Sequence, residues 1–255
     1  MAFNVAAGAY ARFMGRYSEP LSDQFVELAG VRPGQRALDV GCGPGVLTER
    51  LVARLGADAV AGVDPSEPFV AAARDRCPGA DIRPGAAEDL PFEDASYDVA
   101  LAQLVVHFMR DPVQGLREMG RVVSPDGVIA ASVWNHAGDT GPLSTFWRAV
   151  KDLAPDAADE AALPGAGEGD LGDLARAAGL RDVTEGTLTV HVDYPSFEEW
   201  WEPYTMGVGP AGDYVAGLDE PAREALRAHC AELLSEGAFT VSATAWTILA
   251  RPPGR

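Results

Sequence analysis

The chain has 255 residues, enough for one α/β domain with insertions or two small domains, and enough to bury a real core. Its hydrophobic and charged fractions, 47% and 23%, are ordinary for a globular protein. A formal net charge of -18 argues against nucleic acid and anionic membrane surfaces as partners, because phosphates are bound by lysines and arginines that displace counterions.

The opening stretch, "MAFNVAAGAYARFMGRYS", lacks the basic start and long apolar core of a secretory leader, so a cytoplasmic location is expected. It mixes Tyr10, Phe13, Met14, Arg16 and Tyr17, which reads either as an amphipathic helix on the core or as a cover over a ligand. Arg36 to Val40, "RALDV", is an apolar strand, and Val46 to Leu55 the helix after it. "DAVAGVD" is a second strand ending at Asp64, and Pro65 to Arg76 a helix with Pro68 in its first turn. "ADIRPG" and "YDVALAQLVV" are the third and fourth strands, with a helix at Asp111 to Val122 and a fifth strand, "GVIAASVW". Strands alternating with helices imply a parallel sheet covered on both faces.

The pattern changes after Trp134. Asn135 to Gly141 is a polar loop and Pro142 to Leu153 a helix; "PDAADEAALPGAGEGD" reads as a mobile acidic linker. Leu171 to Gly179 is a short helix, "VTEGTLTVHV" a strand, and Phe239 to Ala250 the last strand. The stretch of about forty residues between the last two strands is far longer than a hairpin loop. There Phe197, Trp200, Trp201 and Tyr204 stand at i, i+3, i+4 and i+7, one face of a helix that serves either as core or as a lid. The expected fold is a Rossmann-like, mostly parallel seven-stranded sheet with helices on both faces and a helical lid insertion between the last two strands. It forms one domain: a helical cover over 1–30, a core over 31–134, a substrate-side loop, linker and strand over 135–193, the insertion over 194–237, and the last strand and tail over 238–255.

In such sheets ligands sit at the carboxyl ends of strands near the point where strand order reverses. "LDVGCGPG" puts Gly41, Gly43 and Gly45 there, with Cys42 between them. The G-x-G-x-G spacing is neither the dinucleotide fingerprint nor a Walker loop, and a plain turn is the competing reading. Asp39 would repel a pyrophosphate and favour a cation, although an aspartate can also cap such a turn. Asp64, about 20 residues beyond the glycines, stands where ribose hydroxyls are held. Together they describe a nucleoside ligand carrying positive charge, as S-adenosyl-L-methionine does. Cys42, Cys77 and Cys230 are scattered and odd in number, so neither a disulfide framework nor a metal site is expected.

"LDVGCGPG", "VAGVDPS", "GAAEDLPFEDASYDVALAQLVVHFMRDP" and "LREMGRVVSPDGVIAASVW" resemble the class I S-adenosylmethionine-dependent methyltransferases, most of all the ubiquinone/menaquinone-biosynthesis-like (methyltransferase type 11) branch. The resemblance covers Ala37 to Trp134. It implies that Gly41 and its neighbours hold the methionine part of the cofactor, with Asp39 near the ammonium. It further implies that Asp64 accepts the ribose hydroxyls, that Pro65 lines the adenine, and that Gln103 and Leu104 flank the sulfonium. Where the family often has an acidic or amide side chain at the adenine this chain has Ala86, which leaves adenine recognition to Ala87 and Glu88. The family's N-terminal segment often folds over the cofactor, so Arg16 is a candidate partner for its carboxylate.

Methyl transfer needs alignment and dryness more than a set of catalytic groups. His136, after the fifth strand, is the candidate base; His107 reads as packed, His191 as mid-strand and His229 as a surface helix residue. Tyr17, Trp134, Trp200, Trp201 and Tyr204 are the candidate substrate-facing residues. The expected reaction is methylation of oxygen, nitrogen or carbon on a small molecule, releasing S-adenosyl-L-homocysteine. A protein of the same fold that binds the cofactor without transferring methyl is the alternative, followed by a nicotinamide-dependent oxidoreductase.

Overall fold

The computed structural model describes Gly8 and residues 11–254. Tyr10, part of the expected cover, lies outside them. Seven strands form one sheet: β1 (Ala37–Val40), β2 (Val60–Asp64), β3 (Asp81–Pro84), β4 (Tyr97–Gln103), β5 (Val123–Trp134), β6 (Arg181–Tyr194) and β7 (Phe239–Arg251). Their order across the sheet is β3-β2-β1-β4-β5-β7-β6. Pairings from β3 to β5 are parallel, and β7 runs antiparallel to both β5 and β6. The seven-stranded, mostly parallel sheet is therefore present, with an antiparallel end.

β1 and β2 are buried at every position, as strands covered on both faces must be. On one face Leu38, Val63 and Ala100 pack with Leu116 and Met119 of the helix Pro112–Val122. On the other, Ala37, Val99 and Leu101 meet Phe25 of the helix Arg16–Leu28 and Leu47 and Leu51 of the helix Val46–Leu55. The chain moves outward from β1 to β3 and then crosses back to pair β4 with β1, which opens a crevice at the carboxyl ends of β1 and β4.

β4 stops at Gln103, short of the expected Val106, because Leu104 turns to a left-handed backbone with φ 60°. β5 starts four residues before Gly127, and its irregular register with β4 between Tyr97 and Val99 takes up the extra chain. Two further expectations are corrected. The acidic stretch after Ala154 is pinned to the core: buried Glu160 accepts a 2.8 Å hydrogen bond from Trp147 Nε1, and the carbonyl of buried Ala166 accepts one from Trp246 Nε1. The aromatic stripe is not one continuous helix, since Phe197–Trp201 passes into a 3-10 turn at Glu202–Met206 before the helices Gly209–Ala216 and Glu220–Leu233.

Candidate active site

The glycine loop leaves β1 and turns back against β2. Gly41 and Cys42 both donate their N–H to the Val63 carbonyl, at 2.8 and 3.0 Å. Gly41 has φ 71°, and a Cβ there would lie 2.3 Å from a Val105 methyl, so only glycine lets the chain pass. Gly43 donates its N–H to Asp64 Oδ2 at 2.9 Å, and Ser66 donates to Oδ1 at 2.8 Å. Asp64 is thus oriented by backbone, with lone pairs to spare for a ligand. Burial raises its carboxyl above the usual range, while those two N–H groups hold the rise in check. Gly45 ends the loop at the start of the next helix. Cys42 packs with Val70, Ala73 and Ile82, and burial pushes its thiol up, so it is a packing group and not a nucleophile.

Asp39 lies beneath the loop, 1% exposed, accepting a 2.7 Å hydrogen bond from Thr48 Oγ1. Burial, and secondarily the nearby Asp64, push its carboxyl up to about 7. Above it is a small recess lined by Ser18, Gly41, Gly43 and Gln103. Gln103 donates to the Ser18 carbonyl at 3.2 Å and to Ser22 Oγ at 2.9 Å. Its Oε1, like Ser18 Oγ, is buried without a hydrogen-bond partner among the described residues. The recess therefore presents oxygen acceptors, and a donor is what they lack.

Beside the recess opens a cavity of about 570 Å³, within the ordinary range for small-molecule sites. Gly43, Asp64 and Pro65 line one wall, and Ala87, Glu88 and Met109 another. The Glu88 side chain accepts the N–H groups of Arg110 and Asp111, at 2.7 and 3.1 Å, so it braces the wall as well as facing the ligand space.

Leu104 lines the cavity, the recess and a third, narrow pocket. Its left-handed backbone, unusual for a leucine, is held by N–H contacts to the carbonyl and hydroxyl of Ser132, at 2.9 and 3.3 Å. Strain of this kind persists where surrounding structure demands it, and it stands at the meeting point of the three spaces. The narrow pocket contains Trp134, His107 and His136, whose imidazole rings lie 5.9 Å apart. Burial drives the His136 imidazole down to about 4, and burial, with His136 beside it, holds His107 well below its ordinary value.

Residues 38–131 match the family of the methyltransferase domain. The chain is 42% identical over 106 residues to a ubiquinone biosynthesis O-methyltransferase of Azorhizobium caulinodans, covering 40% of this chain and 41% of the relative. The stretch 38–131 is thus similar to methyltransferase domains, as the ubiquinone-biosynthesis-like resemblance implies. It is also 32% identical over 154 residues to a malonyl-[acyl-carrier protein] O-methyltransferase of Erwinia billingiae, covering 60% of each chain. The chain thus matches about half the length of these relatives. A Bacillus halodurans structure assigned as a methyltransferase superposes with a TM-score of 0.60 at 17% identity, covering 91% of this chain and 99% of that one, a likeness of fold.

The sheet's carboxyl edge brings most of the expected cofactor residues to one crevice: Asp39, the glycine loop, Asp64, Pro65, Ala87, Glu88, Gln103 and Leu104. Arg16 is a correction. It pairs with Glu199 at 3.0 Å and lies over the Tyr194 ring, so its charge is directed at the insertion and not at the crevice. Four of the candidate substrate residues also face elsewhere. Trp200, Trp201 and Tyr204 are buried in a cluster with Phe13 and Phe146, and Tyr17 is held by a 2.8 Å hydrogen bond from Tyr194. Trp134 of that set lines the narrow pocket. Sequence reasoning missed Ser18 and the pocket role of His107. The Ser18 partnership crosses 85 residues, and no local spacing announces it.

Proposed function

We propose that this protein is a methyltransferase that uses S-adenosyl-L-methionine and places its methyl on a small molecule. The observation that carries the reading is the pair of buried carboxylates, Asp39 in β1 and Asp64 at the end of β2, against a glycine loop with no lysine or arginine between Leu38 and Thr48. A phosphate ligand would meet repulsion there, whereas an ammonium restores the charge balance that burial removed. The residues fit the cofactor on a second ground, because the unpartnered Gln103 Oε1 and Ser18 Oγ lie over Asp39 as acceptors for amino-group protons. Asp64 would accept the ribose hydroxyls, with Pro65, Ala87 and Glu88 around the base. When bound, the cofactor supplies an electrophilic methyl carbon on a sulfonium.

The chain's own part is to orient and to exclude water, effects worth roughly 7–11 kcal/mol at best. Leu104 and Phe108 join the large cavity to the narrow pocket, where His136 is the candidate proton acceptor. Both relatives described above are O-methyltransferases by name, which favours oxygen as the acceptor atom.

Calorimetric titration with S-adenosyl-L-methionine, and separately with NAD, tests the reading. The expected result is saturable binding of the first alone, weakened in an Asp64→Ala variant by roughly 1.5–3 kcal/mol for the lost charged acceptor. Binding of NAD in its place, or of neither, overturns it. Binding without S-adenosyl-L-homocysteine formation across an acceptor screen favours the non-transferring alternative.

A further inference from the structure

The narrow pocket combines apolar walls with an unusual concentration of unanswered nitrogen. Phe13, Met14, Leu143, Val208 and Pro210 supply the walls. Trp134 Nε1, His107 Nδ1 and His136 Nε2 are each buried with no hydrogen-bond partner among the described residues. They are three of the five such side-chain atoms, and the other two are the Ser18 and Gln103 oxygens of the cofactor recess. Buried polar groups are almost always hydrogen-bonded, so three orphans sharing one pocket point to a ligand that answers them.

We propose that this pocket receives the reacting end of an uncharged acceptor that carries a hydroxyl, read by Trp134 Nε1, His107 Nδ1 and His136 Nε2. The proposal deepens the methyltransferase reading and rests on it for the word acceptor. An indole N–H only donates, so the ligand must accept there. A neutral imidazole nitrogen is either a donor or an acceptor, and two histidines allow the ligand to donate to one of them. A hydroxyl does both. An ammonium has no lone pair for Trp134, and a carboxylate has no proton to give. A carboxylate would also enter a pocket that has no lysine or arginine among its described residues. Burial keeps both imidazoles neutral at physiological pH, which leaves the site without positive charge for an anion. The volume, about 40 Å³ against about 570 Å³ next door, suits the functional end of a molecule better than an extended one.

The test is titration of the full chain, saturated with S-adenosyl-L-homocysteine, with four probes of similar shape: phenol, toluene, benzoate and benzylamine. Dissociation constants are read by ligand-observed NMR. Phenol is expected to bind tightest, at least about tenfold tighter than toluene, because loss of the hydroxyl leaves buried polar atoms unpaired. Trp134→Phe keeps the ring and removes the N–H, so it is expected to cut the phenol preference several-fold and leave toluene unchanged. Should that variant fail to fold, His136→Phe serves the same purpose, and the wild-type ranking stands without either. Equal binding of phenol and toluene, a first place for benzoate or benzylamine, or binding of none of the four overturns the proposal. A separate titration with S-adenosyl-L-homocysteine alone reads the cofactor site, so failure there counts against the methyltransferase reading and not against the pocket chemistry.

Discussion

Asp39 shows how one buried group links the site to stability. Its carboxyl rises from 3.8 to about 7 on folding, chiefly through burial. Below pH 4 both folded and unfolded chains hold the proton. Between those two values the unfolded chain releases it and the folded one keeps it, so rising pH favours unfolding. Glu160, also pushed by burial to about 7, acts in the same direction. His107 and His136, buried neutral, act in the opposite direction up to about pH 6.5, so the expected outcome is a difference between proteins: relative to the wild type, Asp39→Asn gains stability as pH rises from about 4 to about 7. Thermal melts of both proteins across this range check it; an unchanged slope in the variant counts against a buried, proton-holding Asp39. Bound S-adenosyl-L-homocysteine, which brings an ammonium, is expected to stabilise the wild type more than the variant above pH 7.

At the scale of elements, the insertion between β6 and β7 is core before it is cover. Trp200 is 2% exposed and meets Tyr204 with ring centroids 4.8 Å apart; Phe146 stacks on Tyr204 at 4.5 Å. These contacts join the insertion to the helix Ser144–Leu153 and, through Phe13, to the N-terminal segment. Exposed ion pairs, Arg12 with Glu202 and Arg16 with Glu199, follow the same seam. Such pairs contribute little, so the aromatic packing is what holds it. Trp200→Ala is expected to destabilise the protein by about 3–5 kcal/mol, as large-to-small aromatic substitutions in cores do. S-adenosyl-L-homocysteine affinity is expected to stay unchanged, since Trp200 lines neither the cavity nor the recess. Denaturant unfolding and calorimetry measure the two; a small loss of stability would show that the helix is a loosely held lid.

For the whole molecule, the excess of 38 acidic over 20 basic side chains is a self-repulsion that folding concentrates. Most of the arginines are already committed to ion pairs on the surface, for example Arg76 with Glu49 and Arg121 with Glu118. Screening should relieve the remainder. The melting temperature is expected to rise between about 0.01 M and 0.5 M sodium chloride, because the Debye length falls well below the spacing of surface charges. A flat or falling melting temperature in differential scanning calorimetry would show that local ion pairs outweigh the global repulsion. The same charge fits a small acceptor better than a phosphate polymer.

The sequence by itself determined the alternation of strands and helices, the glycine loop, and the placement of Asp39 and Asp64 at neighbouring strand ends. These are local in the chain, and periodicity and turn chemistry write them directly into the residue order. Only the tertiary structure decided which distant side chains share a space. It set Gln103 against Ser18 and Ser22, turned Arg16 toward Glu199, buried the aromatic stripe that spacing alone left as core or lid, and brought His107 beside His136 and Trp134. The reason is physical: a side chain's long-range partners follow from how the sheet faces and helices pack together, and no spacing along the chain encodes that choice.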